Sequence, residues 1–173
     1  MQTSVKPVCY LVFLLLPIFL ALVSCSKEAV KPSEDDLKIR TVLSFVDRLK
    51  QSYEAKDQAG LLALISPDST MLSSLPPILA RDFQSFDRIR LTPMVDRIEI
   101  DKGKVTVVLN WDGQWQNGTT QLIYKEKGTT ILKLKESPAI RLMELSGDPL
   151  FGAGTRSSQT SPASRNSNSR PNP

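Results

Sequence analysis

The sequence predicts an α+β fold in which N-terminal helices pack on one side of a curved antiparallel sheet of about four strands. Three observations predict it. Apolar residues recur at helical spacing as far as Phe86, the period turns to alternation from Ile89, and turn signals then cut the remaining chain into strands.

The first helix starts at Ser33, a candidate N-cap, with Pro32 outside and Glu34, Asp35 and Asp36 in the positive first turn; it is expected to run to about Lys56. Ile39, Val42, Leu43, Val46, Leu49 and Tyr53 share its apolar face, and Lys38, Arg40, Asp47, Arg48, Lys50 and Glu54 lie largely on a solvated one. Asp57 can cap a shorter second helix carrying Leu61, Leu62, Leu64 and Ile65, which Ser66-Pro67-Asp68 stops. A third helix is expected to hold Pro76 and Pro77 in its opening turn and to present Ile78, Leu79, Phe83 and Phe86.

Met94, Ile98 and Ile100 mark a first strand, and Asp101-Lys102-Gly103 a hairpin turn in which glycine takes a positive φ. Val105, Val107, Leu109 and Trp111 alternate with polar or smaller neighbours in a long second strand reaching towards Trp115, the centre of the sheet. Gln116-Asn117-Gly118 is the next turn, which explains Asn117-Gly118-Thr119 better than glycosylation does. A third strand spans Gln121 to Glu136, bent at Gly128, and Ser137-Pro138 turns the chain into a last strand, Ala139 to Ser146, with both faces covered. Phe151 is expected to plug the sheet edge or the core, and the serine-, asparagine-, arginine- and proline-rich remainder cannot repay the entropy of ordering.

Ahead of this domain an apolar run from Val8 ends in Leu22-Val23-Ser24-Cys25, which resembles a bacterial lipobox. The resemblance implies lipid on the Cys25 sulfur and cleavage just before it. Leu22, three residues before the cut, disfavours the ordinary signal peptidase, which wants a small residue there. A membrane span needs roughly 20 apolar residues; the run from Val8 to Val23 is shorter and holds Pro17. The expected organisation is a leader over 1–24, a tether over 25–32, a folded domain over 33–151 and a disordered tail over 152–173. Ser26 after the cysteine implies transfer to the periplasmic side of the outer membrane.

Composition excludes several chemistries. There is no histidine, which removes serine–histidine and cysteine–histidine nucleophiles and the common zinc sites. Cys9 leaves with the leader and Cys25 is blocked by lipid, so the domain has no disulfide or thiolate metal site, and no cofactor or metal is expected. Of the 22 basic residues, Lys6 lies in the leader and Arg156, Arg165 and Arg170 in the tail; the remaining 18 match the 18 acidic ones. A neutral domain gives nucleic-acid binding no support.

The long capped helix, Leu61-Leu62-Ala63-Leu64-Ile65-Ser66-Pro67-Asp68, the Trp111-Asp112-Gly113-Gln114-Trp115 strand and the closing Gly147-Asp148-Pro149-Leu150-Phe151-Gly152 together resemble the nuclear transport factor 2-like superfamily, which includes ketosteroid isomerases and SnoaL-like cyclases. The resemblance covers Leu37 to Phe151. It implies a cone whose open end holds an apolar ligand or substrate, and in ketosteroid isomerases an aspartate base works there with a tyrosine and a neutral carboxylic acid. A cystatin-like fold would not need three helical segments. Inside such a cone Tyr53 is a candidate donor, although a core tyrosine explains it, and Asp96 a candidate base, although a strand-end salt bridge explains it. Asp112 with Asn110 can line a rim or the solvated sheet face. Trp111 and Trp115 share a strand face and can wall an apolar site or form a dimer contact, with Trp115 the surface candidate.

Three classes of function follow. A lipid-anchored binding or adaptor module for an envelope protein or a small apolar ligand is favoured by the missing acid–base motifs. An isomerase- or cyclase-like enzyme needs an ionisable group in the cone, and a structural homodimer needs a filled cone.

Overall fold

The computed structural model describes residues 33–136 and 139–160; Cys25, its lipobox, the tether as far as residue 32, the Ser137-Pro138 turn and the chain from 161 lie outside the described residues. Three helices come first: α1 (Glu34–Glu54), α2 (Gln58–Ala63) and α3 (Met71–Ser85). A four-stranded antiparallel meander follows in the order β1 (Arg88–Asp101), β2 (Lys104–Gln116), β3 (Ile123–Glu136) and β4 (Ile140–Gly147), and a last helix, α4 (Ala153–Thr160), ends the described chain.

Helix α1 begins directly after Ser33 with its three acids in the first turn. It buries Val42, Phe45, Val46, Leu49 and Tyr53, while Ile39 and Leu43 stay exposed. The buried stripe is thus rotated towards Phe45 relative to the face predicted from spacing. Lys56 adopts φ 57° and ends the helix. Its N–H donates to the Tyr53 carbonyl and that of Asp57 to Ser52, the paired bonds of a Schellman ending. The Asp57 carboxylate then accepts from the Gly60 N–H at 2.8 Å and caps α2 as expected.

In α3 the prolines are not in the opening turn. The helix starts at Met71, so Pro76 and Pro77 lie inside it and the rungs to the Leu72 and Ser73 carbonyls cannot form. Burial of Leu75 and Leu79, each contributing about 1.5–3 kcal/mol, holds the segment helical across that gap.

The β1–β2 turn has positive φ at both Lys102 and Gly103, the two-residue geometry that suits strand twist. Along β2, Val105, Val107, Leu109, Trp111, Gly113 and Trp115 all face the core. The next connection is longer than a tight turn: the Asn117 carboxamide oxygen accepts from the N–H groups of Thr119 and Thr120, and β3 starts at Ile123 rather than Gln121. Irregularities between Val95 and Arg97 and between Lys133 and Leu134 break the register, as bulges that bend a sheet do. Both sheet edges are engaged. The Leu91 N–H of β1 donates to the Glu54 carboxylate at 2.7 Å, and residues 64–66 pair beside Leu142 of β4.

The expected tail is only partly a tail. The chain after Gly152 forms α4, and Arg156 belongs to the folded body, so the domain holds one more positive charge than the sequence balance assigned to it.

Candidate functional site

The centre of the molecule is a polar knot set in aromatic packing. The last turn of α1 aims Tyr53 inward, β2 supplies Trp115, and α3 supplies Asp82; all three are fully buried. The Tyr53 hydroxyl donates to Asp82 Oδ2 at 2.6 Å and accepts from Trp115 Nε1 at 3.1 Å. Asp82 Oδ2 also accepts from the Gly152 N–H, and Oδ1 from the Gly154 N–H, each at 2.7 Å. Among the described residues no buried side-chain nitrogen or oxygen lacks a partner.

Aromatic rings close over this knot. Phe151 meets Tyr53 edge-on at 4.9 Å between centroids, and Trp115 packs against Trp111, Phe86 and Tyr124. The strands make room with glycine. A Cβ on Gly113 would overlap the six-membered ring of Trp115, and one on Gly128, the cross-strand partner of Trp111, would crowd the Trp111 indole at 2.7 Å. Trp111 Nε1 donates to Thr130 Oγ1 at 2.8 Å, and that hydroxyl donates to the Asp148 carbonyl.

Electrostatics keep the phenol of the knot protonated. Burial, and after it the charge and hydrogen bond of Asp82, push the Tyr53 phenol far above its ordinary value. A phenol so held donates a hydrogen bond and does not lose its proton. Nearby, burial works against the charge of Arg156, but the hydrogen bonds and charge of Glu126 overcome it and raise its pKa. The guanidinium forks onto Glu126 at 2.5–3.0 Å and donates to the Phe151 carbonyl at 2.7 Å.

The residues singled out by sequence reasoning are dispersed. Tyr53 is inside, as a core tyrosine with a satisfied hydroxyl. Asp96 is exposed at the β1 bulge, which turns its side chain to solvent, so it is no base in the cone and the Tyr53–Asp96 pair does not form. Trp111 is core. Trp115, expected at the surface, is fully buried because Gly113 lets its ring fold back over β2. Asp112 lies on the polar face, 31% exposed, paired with Lys127 at 2.9 Å. Asp82 was missed, although it falls in step with the buried Leu75 and Leu79, a charged residue on an apolar helical stripe.

Cavities border the packing around the knot without opening onto Tyr53, Asp82 or Trp115. A 520 Å³ groove is lined by Phe86, Asn117, Leu122, Ile123, Tyr124 and Gly154 among others, and Leu122 and Ile123 beside it are 70% and 55% exposed. Another of 540 Å³ sits among Lys102, Lys104, Lys133 and Lys135 at the β1–β2 turn. Neither these nor the two smaller cavities are lined by Tyr53 or Asp82. Among the described residues no cluster of three potential metal ligands occurs, and no helix is long and apolar enough to cross a membrane.

No protein-family model and no curated protein matches the sequence. Solved structures do resemble the fold. Bd1075 of Bdellovibrio bacteriovorus matches 69% of this chain at 12% identity with a TM-score of 0.57, and the chain spans 44% of that protein. A ketosteroid isomerase-like protein from Erwinia carotovora atroseptica matches 65% of this chain and 98% of its own, at 10% identity and TM-score 0.52. A nuclear transport factor 2-like superfamily protein of Salmonella enterica serovar Typhimurium matches 64% and 90%, at 12% identity and TM-score 0.52. At these identities the likeness is one of backbone, and with helices leading into a curved, unclosed four-stranded sheet it identifies the described chain as a nuclear transport factor 2-like fold.

Proposed function

We propose that this protein is a lipid-anchored binding module of the bacterial cell envelope, held through Cys25 on the periplasmic side of the outer membrane, that takes up an apolar ligand at the groove beside Leu122 and Ile123. One contrast carries the reading. The interior carboxylate, Asp82, spends both oxygens on three donors within a filled core, whereas two large apolar side chains stand in solvent beside a 520 Å³ groove. Exposed apolar residues rimming a groove favour binding. An isomerase-like reaction would need an ionisable group open to substrate in the cone, and the Tyr53–Asp82 pair supports that reading poorly.

The anchor and the groove are tested separately. Metabolic palmitate labelling should mark the wild-type protein in the membrane fraction and leave Cys25→Ala unlabelled; equal labelling would sink the anchor. An environment-sensitive apolar dye, bis-ANS, should bind the Leu122→Ser/Ile123→Ser double variant several-fold more weakly than wild type, and unchanged binding would sink the groove.

A further inference from the structure

The segment after β4 is held in an unusual way. Its sequence is polar and α4 contributes little to the core beyond Ala153, yet the segment is bound at several points. Leu150 and Phe151 are buried, the latter against the Tyr53 ring. The N–H groups of Gly152 and Gly154 both end on the Asp82 carboxylate, and Arg156 forks onto Glu126 of β3. A Cβ on Gly154 would stand 2.9 Å from Ser85 Oγ and 3.1 Å from the Arg81 carbonyl, so the start of α4 lies closely against α3 and a side chain there would press the two apart by a few tenths of an ångström.

These are the contacts of a ligand: an apolar anchor, paired donors to a buried carboxylate and a cation on a second carboxylate. Space flanks the segment on two sides. A 210 Å³ cavity lies along Pro149–Phe151, and the 520 Å³ groove uses Gly154, Ser157 and Ser158 as a wall. Gly147 and Gly152, at φ +86° and +90°, bracket the anchor with backbone conformations that only glycine adopts freely.

We propose that Leu150–Arg156 is an internal ligand of the cone, and that the site it fills binds in trans a peptide of the same chemistry: an aromatic side chain followed by free backbone N–H donors and an arginine five residues after the aromatic. Release of the segment joins the groove to Tyr53, Asp82 and Trp115 and leaves the Asp82 carboxylate without two of its donors, which an incoming peptide restores. The open fraction sets the apparent affinity in trans, so a weaker Arg156 clamp tightens binding of an added peptide. The proposal rests on the binding-module reading for its partner but on neither the lipid nor Leu122 and Ile123.

Two measurements on the full chain in detergent test it. Native-state hydrogen exchange should show the Gly152 and Gly154 amides exchanging at least about tenfold faster than those of Val107 and Leu109 in β2, through opening of this segment alone. A labelled peptide of residues 149–160 should bind the Arg156→Ala chain about tenfold more tightly than wild type. Glu126→Gln in the chain loosens the same clamp but also removes the carboxylate that the peptide's arginine would meet, so it should gain much less than Arg156→Ala. Exchange of both amides at the β2 rate, or failure of the peptide to bind any of the three chains, overturns the proposal. Unchanged bis-ANS binding in the Leu122→Ser/Ile123→Ser variant would sink the groove yet leave both of these readouts as expected, so the two readings fail separately.

Discussion

Replacing Tyr53 by Phe removes one oxygen and nothing else from a fully buried side chain, which isolates the polar knot from its packing. The lost oxygen both donates to Asp82 and accepts from Trp115. A hydrogen bond to a carboxylate contributes about 1.5–3 kcal/mol, and a buried indole N–H left without a partner costs about 1–3 kcal/mol. The two overlap because they share the hydroxyl, so a loss of about 3 kcal/mol is expected at pH 7, read by urea unfolding followed through tryptophan fluorescence with an unchanged m-value. A pH series sharpens the test. The folded phenol's pKa is raised above its ordinary 10.0, so its contribution is complete below that value and is lost as pH rises, because only the unfolded chain then releases the proton. Wild type should therefore lose about 1.4 kcal/mol by about pH 11 that Tyr53→Phe does not, narrowing the gap between them. Tyr124 and Lys127, whose pKa values are also raised, contribute alike to both proteins and cancel. A penalty under about 1 kcal/mol at pH 7, or a gap independent of pH, would refute the reasoning.

Gly113→Ala should cost about 1–3 kcal/mol in the same urea assay and red-shift tryptophan emission, since the added methyl must displace the buried Trp115 ring; a neutral result would mean the ring can move. Asp96→Asn should change stability by less than about 0.5 kcal/mol, and a larger loss would show that the bulge carboxylate holds part of the fold.

Much of the fold was legible because its signals are local. Helical spacing located α1 and Asp57 its neighbour's cap, and alternation with the Lys102-Gly103 turn located β2 to within a few residues, whereas β1 starts earlier, at Arg88, and buries Ile89 and Leu91 while Met94 and Ile100 stay exposed. The misplaced details depend on what packs across. The face of α1 rotated to bury Phe45, and two prolines sit inside α3, because burial against the sheet outweighs single-residue preferences. The candidate site was harder to read. Tyr53 could be placed in the core from its stripe, but its partner lies 29 residues on in another helix, and no spacing rule links them.

By itself the sequence determined the class of fold, the order of its three leading helices and four strands, the absence of histidine chemistry and the resemblance of Leu22–Cys25 to a lipid-attachment signal, since each is written in composition or in near neighbours. Tertiary structure alone decided that Trp115 turns inward over Gly113, that Asp82 rather than Asp96 meets Tyr53, and that a polar stretch read as tail docks on that aspartate through two backbone N–H groups. Backbone donors carry no side-chain signature, and a buried carboxylate is tolerated only where distant segments converge to satisfy it; both become visible only once the chain has folded.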